Sequence, residues 1–158
     1  MGSDSDLDVM SEGAQVLKDF SIPYEIKVLS AHRSPNDLLQ FVRKAKGTGV
    51  EVFICGAGGA AHLAGAVAAH TTLPVIGVPI NSTPLGGFDS LLATVQMPAG
   101  TPVATVSIGK SGARNAALLA AQMLARGNRP LQRKLEEFKK KMAAGVRKKN
   151  ESLKKNLQ

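Results

Sequence analysis

Apolar residues follow two rhythms along this chain, and their alternation predicts the fold. Short runs rich in β-branched residues occupy Tyr24–Leu29, Val50–Cys55, Pro74–Val78 and Pro102–Ile108. Around them, near 6–20, 35–46, 60–70, 88–95 and 112–126, apolar positions recur at helical spacing. Glycine and proline bound the runs, and a helix-length segment separates each from the next, which reads as βα units of a parallel sheet. The runs are apolar on successive residues, as in Val52-Phe53-Ile54. Helices covering both faces of a sheet require that. The segment 130–149 opens on Pro130 and places Leu131, Leu135, Phe138 and Met142 at three- and four-residue steps. It predicts an amphipathic helix with a basic outer face, fraying at Gly145 and from Arg147 onwards. The division that follows is an α/β domain over 1–128 and a basic C-terminal helix and tail over 129–158.

The start of the chain breaks the pattern. Met1-Gly2-Ser3-Asp4-Ser5-Asp6 reads as a loop feeding a helix, yet no strand precedes it. The expectation is either a first strand missing upstream of Met1 or a free N-terminus.

Charge changes the picture only at the other end. The chain has 158 residues and a net charge of +8. Residues 1–128 carry nine basic and nine acidic side chains, whereas residues 129–158 carry eleven basic against three acidic. Any nucleic-acid function would therefore live in the tail, and the body has no basic bias. The plainer expectation is a solvated helix packing on a neighbouring subunit. No apolar run is long enough to span a membrane and the first residues are polar, so neither a membrane span nor a secretory signal is expected. The single cysteine, Cys55, excludes an internal disulfide framework and a cysteine-based zinc cluster. The three histidines are not spaced as metal ligands, so no metal is expected. The location implied is a reducing compartment, the cytoplasm.

Three loops carry candidate chemistry. In Gly2-Ser3-Asp4-Ser5-Asp6, small and hydroxyl residues before a helix present N–H and O–H donors to an anion. Asp6 either caps that helix or accepts from sugar hydroxyls. In Ser30-Ala31-His32-Arg33-Ser34-Pro35, Ser34 and Pro35 mark a helix start directly after a strand, the edge where open α/β sheets bind ligands. Arg33 offers a fork for phosphate, and His32 can give and take a proton near neutral pH. In Gly56-Ala57-Gly58-Gly59-Ala60-Ala61-His62-Leu63, glycines let backbone approach a ligand closely. His62 there is either a substrate contact or a packing residue. The loop is not a dinucleotide fingerprint, because no acidic residue follows before Asp89. His70, in an Ala-rich helix, reads as structural. Gly109-Lys110-Ser111 mimics the end of a phosphate loop, but Ala104 stands where its first glycine is needed. Asn81-Ser82-Thr83 matches a glycosylation acceptor, with nothing to direct the chain to secretion.

Taken together, these loops, with Pro74-Val75-Ile76-Gly77-Val78-Pro79, Asp89-Ser90-Leu91-Leu92 and Val95-Gln96-Met97-Pro98, resemble the PurE family of N5-carboxyaminoimidazole ribonucleotide mutases, from Gly2 to about Leu124. The resemblance implies a flavodoxin-like three-layer αβα sandwich, a homo-octamer, and a C-terminal helix reaching to other subunits. It implies transfer of a carboxylate from the exocyclic nitrogen of an aminoimidazole nucleotide to ring carbon C4, a step of de novo purine biosynthesis using no ATP, metal or organic cofactor. By the same resemblance His32 is the catalytic acid and base, Ser3 and Arg33 contact phosphate, and Asp6 binds ribose. Ser5, Ser30, Ala31, Gly58, Ala60 and His62 complete the pocket. The Gly-Gly-Ala-Ala-His-Leu run favours the mutase over a related class that carboxylates aminoimidazole ribonucleotide directly with carbon dioxide. A non-catalytic nucleotide-binding module is a further alternative. Three departures stand out: no strand precedes Gly2, Ala64 stands where the family usually has proline, and the Lys-rich end after Arg147 is longer and more basic than the family minimum.

Overall fold

Val75–Ile80 is apolar apart from Gly77 and buried at every position, so it can only be an interior strand. In the computed structural model, which describes residues 1–156, it is β2, the middle of a three-stranded parallel sheet. β1 (Phe53–Gly58) pairs along one side of it, from Phe53 opposite Val75 to Gly58 opposite Ile80. β3 (Ala104–Thr105) pairs along the other, Ile76 opposite Ala104. The helices follow in chain order: α1 (Leu7–Asp19), α2 (Pro35–Ala45), α3 (Leu63–Ala68), α4 (Phe88–Val95) and α5 (Gly109–Leu124), then α6 (Arg129–Asn156). This is the α/β parallel architecture expected.

The core forms where the helical stripes meet the sheet. Leu38, Val42 and Ala45 of α2 and Leu63, Ala64 and Val67 of α3 cluster with Phe53, Cys55 and Val75. Each buried aliphatic side chain of this size contributes about 1.5–3 kcal/mol. Cys55 is wholly enclosed, and burial pushes its thiol up to about 12, so it is packing material. α5 buries Ala113, Ala116, Ala117 and Ala120. Small residues let it lie close to α1: a Cβ on Gly13 would fall 2.7 Å from the Ala113 carbonyl oxygen.

The chain divides into two compact units, residues 1–120 and the segment from 121 onwards. The second consists of the end of α5, a 3-10 turn at Ala125–Gly127 and α6. Positions 157 and 158 of the expected basic tail lie outside the described residues.

Several expectations are corrected. Tyr24–Leu29 is not a strand. It makes one parallel rung, with the Met1 α-amino group: Met1 N donates to the Lys27 carbonyl at 2.8 Å and Leu29 N–H to the Met1 carbonyl at 2.9 Å. A ladder needs successive rungs, and among the described residues the run has no partner to supply them. Its Tyr24, Ile26 and Val28 are 47%, 43% and 50% exposed. β3 shrinks to two residues; Pro102 has no N–H to donate at its start, and a single further bond, from the Val106 N–H to the Gly77 carbonyl at 3.1 Å, extends it at the other end. α6 does not fray at Gly145 but runs to Asn156. One glycine costs about 1 kcal/mol in a helix, which the flanking Ala, Lys, Glu and Leu residues offset.

Candidate active site

Three loops bring their residues together at the carboxyl end of β1, and local hydrogen bonds shape each loop. In the first, Ser3 caps a 3-10 turn over Asp4–Asp6 that leads into α1. Ser3 Oγ accepts from the Ser5 N–H at 3.4 Å, and the Asp6 carboxylate accepts from the Ser3 N–H at 3.0 Å, a reciprocal capping box. Ser5 Oγ reaches Ser3 Oγ at 3.0 Å. Of the two roles open to Asp6, the cap is the one visible here. Asp6 is only 4% exposed; burial pushes its carboxyl pKa up, and the Ser3 amide partly opposes the shift.

The second loop is tied the same way. Ser34 Oγ accepts from the Ser30 N–H, and Ser30 Oγ accepts from the Arg33 N–H, each at 3.1 Å. Ser34 therefore stands at the N-cap of α2 but bonds back to Ser30 rather than capping the helix. The tight turn leaves Ala31 half-buried against the core and turns His32 and Arg33 outward, both exposed. Arg33 Nη2 donates to the Gly2 carbonyl at 3.2 Å, which brings the second loop onto the first.

The third loop leaves β1 through Gly58 and Gly59, the latter at φ +56°, where a side chain would strain the backbone. It passes exposed Ala60 and starts α3 at His62. His62 Nδ1 and His32 Nε2 share a hydrogen at 2.9 Å, the rings edge to face at 86°. Thus the predicted residues fall into two linked groups: Ser3, Ser5, Asp6 and Arg33 on one side, His32 and His62 on the other. Ser30 and Ala31 build the turn between them. Gly58 and Ala60 precede His62 on the third loop, where the Ala60 carbonyl accepts from the His62 N–H at 2.8 Å. His70 stands apart, past the end of α3, with Nδ1 on the Ala66 carbonyl at 2.8 Å.

A fourth segment, Asn81–Gly87 after β2, carries no site residue expected from the sequence, where Asn81-Ser82-Thr83 reads only as an unused glycosylation match. Ser82 lies directly against Gly58, and a Cβ on Gly59 would lie 3.7 Å from Thr83 Cγ2. Thr83 Oγ1 donates to Asp89 Oδ2 at 2.7 Å. Its position after the carboxyl end of a strand was the signal available. The mimic Gly109-Lys110-Ser111 lines a cavity of about 400 Å³ with Asp8, Val9, Asn81 and Ile108, none of them a predicted site residue. There Lys110 pairs with Asp8 at 3.0 Å, and that carboxylate holds its ammonium pKa up. Among the described residues, no group of three or more His, Cys, Asp or Glu side chains is arranged to hold a metal ion. No described helix is long and apolar enough to cross a membrane.

An α/β fold with hydroxyls, an arginine and paired histidines at the carboxyl edge of a parallel sheet defines a class: proteins with a small-molecule site at that edge. The particular family follows from comparison. The family model described as AIR carboxylase matches residues 1–145, and the chain belongs to this family. It is 56% identical over 137 residues to the N5-carboxyaminoimidazole ribonucleotide mutase of Bacillus subtilis (strain 168), covering 87% of this chain and 85% of that protein. It is 50% identical over 153 residues to the mutase of the same name from Thermotoga maritima, covering 97% and 88%. Among solved structures, Treponema denticola PurE superposes with a TM-score of 0.86 at 25% identity, covering 97% of this chain and 94% of that one.

Proposed function

We propose that the protein is an N5-carboxyaminoimidazole ribonucleotide mutase of purine biosynthesis, acting through His32 without a metal or organic cofactor. The observation that carries the reading is the convergence of His32, Arg33 and the Gly2–Asp6 loop, held by the Arg33 bond to the Gly2 carbonyl at 3.2 Å. The curated relatives that bear this name share about half their residues with the chain.

In this reading Ser3 and Arg33 hold the phosphate, Asp6 holds the ribose and Ser5 completes that end of the pocket, which lays the aminoimidazole ring beside His32. The imidazolium of His32 gives a proton to the exocyclic nitrogen as the nitrogen–carboxyl bond breaks. The bonding pair stays on nitrogen, and carbon dioxide is released into the site. Ring carbon C4 then attacks the carbon dioxide, and neutral His32 removes the C4 proton, which restores both the aromatic ring and the imidazolium. Protons balance over the cycle, so one histidine serves both steps. Gly58, Ala60 and His62, with Ser30 and Ala31, wall the site and hold the carbon dioxide for recapture. The bond to His62 orients the His32 ring while the site is open, and both side chains are exposed enough to part when substrate enters.

The enzyme is also inferred to be cytoplasmic and to assemble as a homo-octamer. Exposed Leu85 (67%), Phe88 (61%), Leu92 (41%) and Val95 (47%), the last three on one face of α4, support burial against another copy. The testing experiment is turnover of the N-carboxylated nucleotide by His32→Asn. A loss of about 10²–10⁴-fold with nucleotide binding retained is expected. Turnover as fast as the parent's would reject His32 as the proton carrier, whereas nucleotide binding without turnover by the parent itself would favour a binding module.

A further inference from the structure

Basic residues recur along α6 as pairs at seven-residue steps: Arg133-Lys134, Lys140-Lys141 and Arg147-Lys148, with Lys154 one step further on. All seven side chains are exposed. Seven residues make nearly two turns, so the pairs drift only about 20° per step and stay on one face, about 10.5 Å apart. From Arg133 to Lys154 the row is about 31 Å long. At about 100° per residue, Leu131, Leu135, Phe138, Met142, Val146 and Leu153 form a stripe on the opposite side. Glu136, Glu137 and Glu151 share the basic side, but residues 138–150 hold six cations and no carboxylate.

We propose that this face of α6 is a docking surface for the phosphate backbone of double-stranded nucleic acid, bound without regard to base sequence. A duplex carries one negative charge per about 1.7 Å of axis and is straight over about 31 Å, or about nine base pairs. A row of cations on a straight helix complements that line of charge, and each contact releases a condensed counterion. Two features of α6 choose this partner over other anions. If the helix sank its apolar stripe into a lipid surface, the pairs on the opposite side would point to water rather than to headgroups. Between the two central pairs the face carries Ala143 and Ala144, too small to anchor a protein partner. Five of the seven cations are lysines, which supply point charge rather than the fork that reads guanine, so recognition is of the backbone. None of these residues is assigned to the proposed mutase mechanism, so the surface stands or falls separately from it.

The test is fluorescence anisotropy of a labelled DNA duplex of about 20 base pairs, titrated with the full chain between about 50 and 200 mM salt. With about six phosphates neutralised, log K should fall against log salt with a slope near −5, about a 10³-fold loss across that range. Lys140→Gln, Lys141→Gln, Arg147→Gln and Lys148→Gln together should bring the slope to about −2 and weaken binding more than about 10-fold at the lowest salt. Gln matches Lys and Arg in helix propensity, so circular dichroism should show the helix content kept. A control that removes four cations from the first unit, Lys18→Gln, Arg43→Gln, Lys44→Gln and Lys46→Gln, should change the slope by less than about 1. No binding at the lowest salt, a parent slope shallower than about −3, or equal losses in the two variants overturns the surface. Affinities that differ more than about 10-fold between duplexes of unrelated sequence overturn backbone recognition. Tighter binding to phosphatidylserine vesicles or to polyglutamate than to the duplex, at equal anion concentration, overturns the partner.

Discussion

Gly58→Ala tests whether the third loop and the segment after β2 form one wall. A Cβ on Gly58 would collide with Ser82 Oγ and lie 2.7 Å from Ser82 Cβ and 3.2 Å from the Ile80 carbonyl oxygen. Rotating the Ser82 hydroxyl away relieves only the first of these. The other two belong to a Cβ and a backbone carbonyl, so the Asn81–Gly87 segment itself must move. Overpacking of this kind costs about 1–3 kcal/mol. For a chain of this size, that lowers the thermal midpoint by about 3–10 °C. Gly56→Ala is the internal control. Its Cβ would meet Met10 Sδ and Cγ and Ile80 Cδ1 at 3.2 Å, all parts of flexible side chains, so its midpoint should fall less. Displacing the wall by about 1 Å is expected to lower turnover up to about 10²-fold. In the proposed mechanism, part of the substrate then leaves as aminoimidazole ribonucleotide, because carbon dioxide escapes before recapture. The assay pairs calorimetry with product analysis of the two variants. A Gly58→Ala enzyme with the parent's midpoint and product ratio would refute the contact and its role.

Arg33→Ala is expected to raise KM about 10–100-fold with a smaller change in kcat, as loss of a charge-assisted anchor requires; steady-state kinetics checks it. Arg33→Lys should restore binding only in part, since an ammonium lacks the planar fork. Asp6 makes stability pH-dependent with a definite sign. Its folded-state pKa lies above 3.8, so its contribution is full below that value and is lost as pH rises through the raised one. Asp6→Asn should remove this fall, seen as a wild-type minus variant difference in unfolding midpoint across acid pH. Deleting residues 147–158 should leave turnover near the parent's, because every residue assigned to the mechanism precedes them.

The parts of the fold that were legible are those whose residues answer to burial alone. β2 is apolar except at one glycine and buried throughout, so composition sufficed to place it. β1 was expected at 50–55 and is found at 53–58, because its start is set by pairing with Pro74 and Val75 on another strand. Tyr24–Leu29 has the composition of a strand, but composition does not supply a partner. The site divides in the same way. Each loop announced itself through its own small and polar residues. The bond between His32 and His62 spans 30 positions and depends on how the second and third loops meet, which no local spacing encodes. Ser82 and Thr83 were hidden because their motif suggested glycosylation, and their role as a wall comes from contact with Gly58 and Gly59.

The most direct test of His32 as the proton carrier is a crystal structure of the enzyme with the N-carboxylated nucleotide or its C4-carboxylated product. The account predicts the phosphate on Ser3 and Arg33, and a ring nitrogen of His32 within about 3.2 Å of the exocyclic nitrogen or C4. A nucleotide seated elsewhere, or a His32 ring turned from the heterocycle and still bonded to His62, would contradict it.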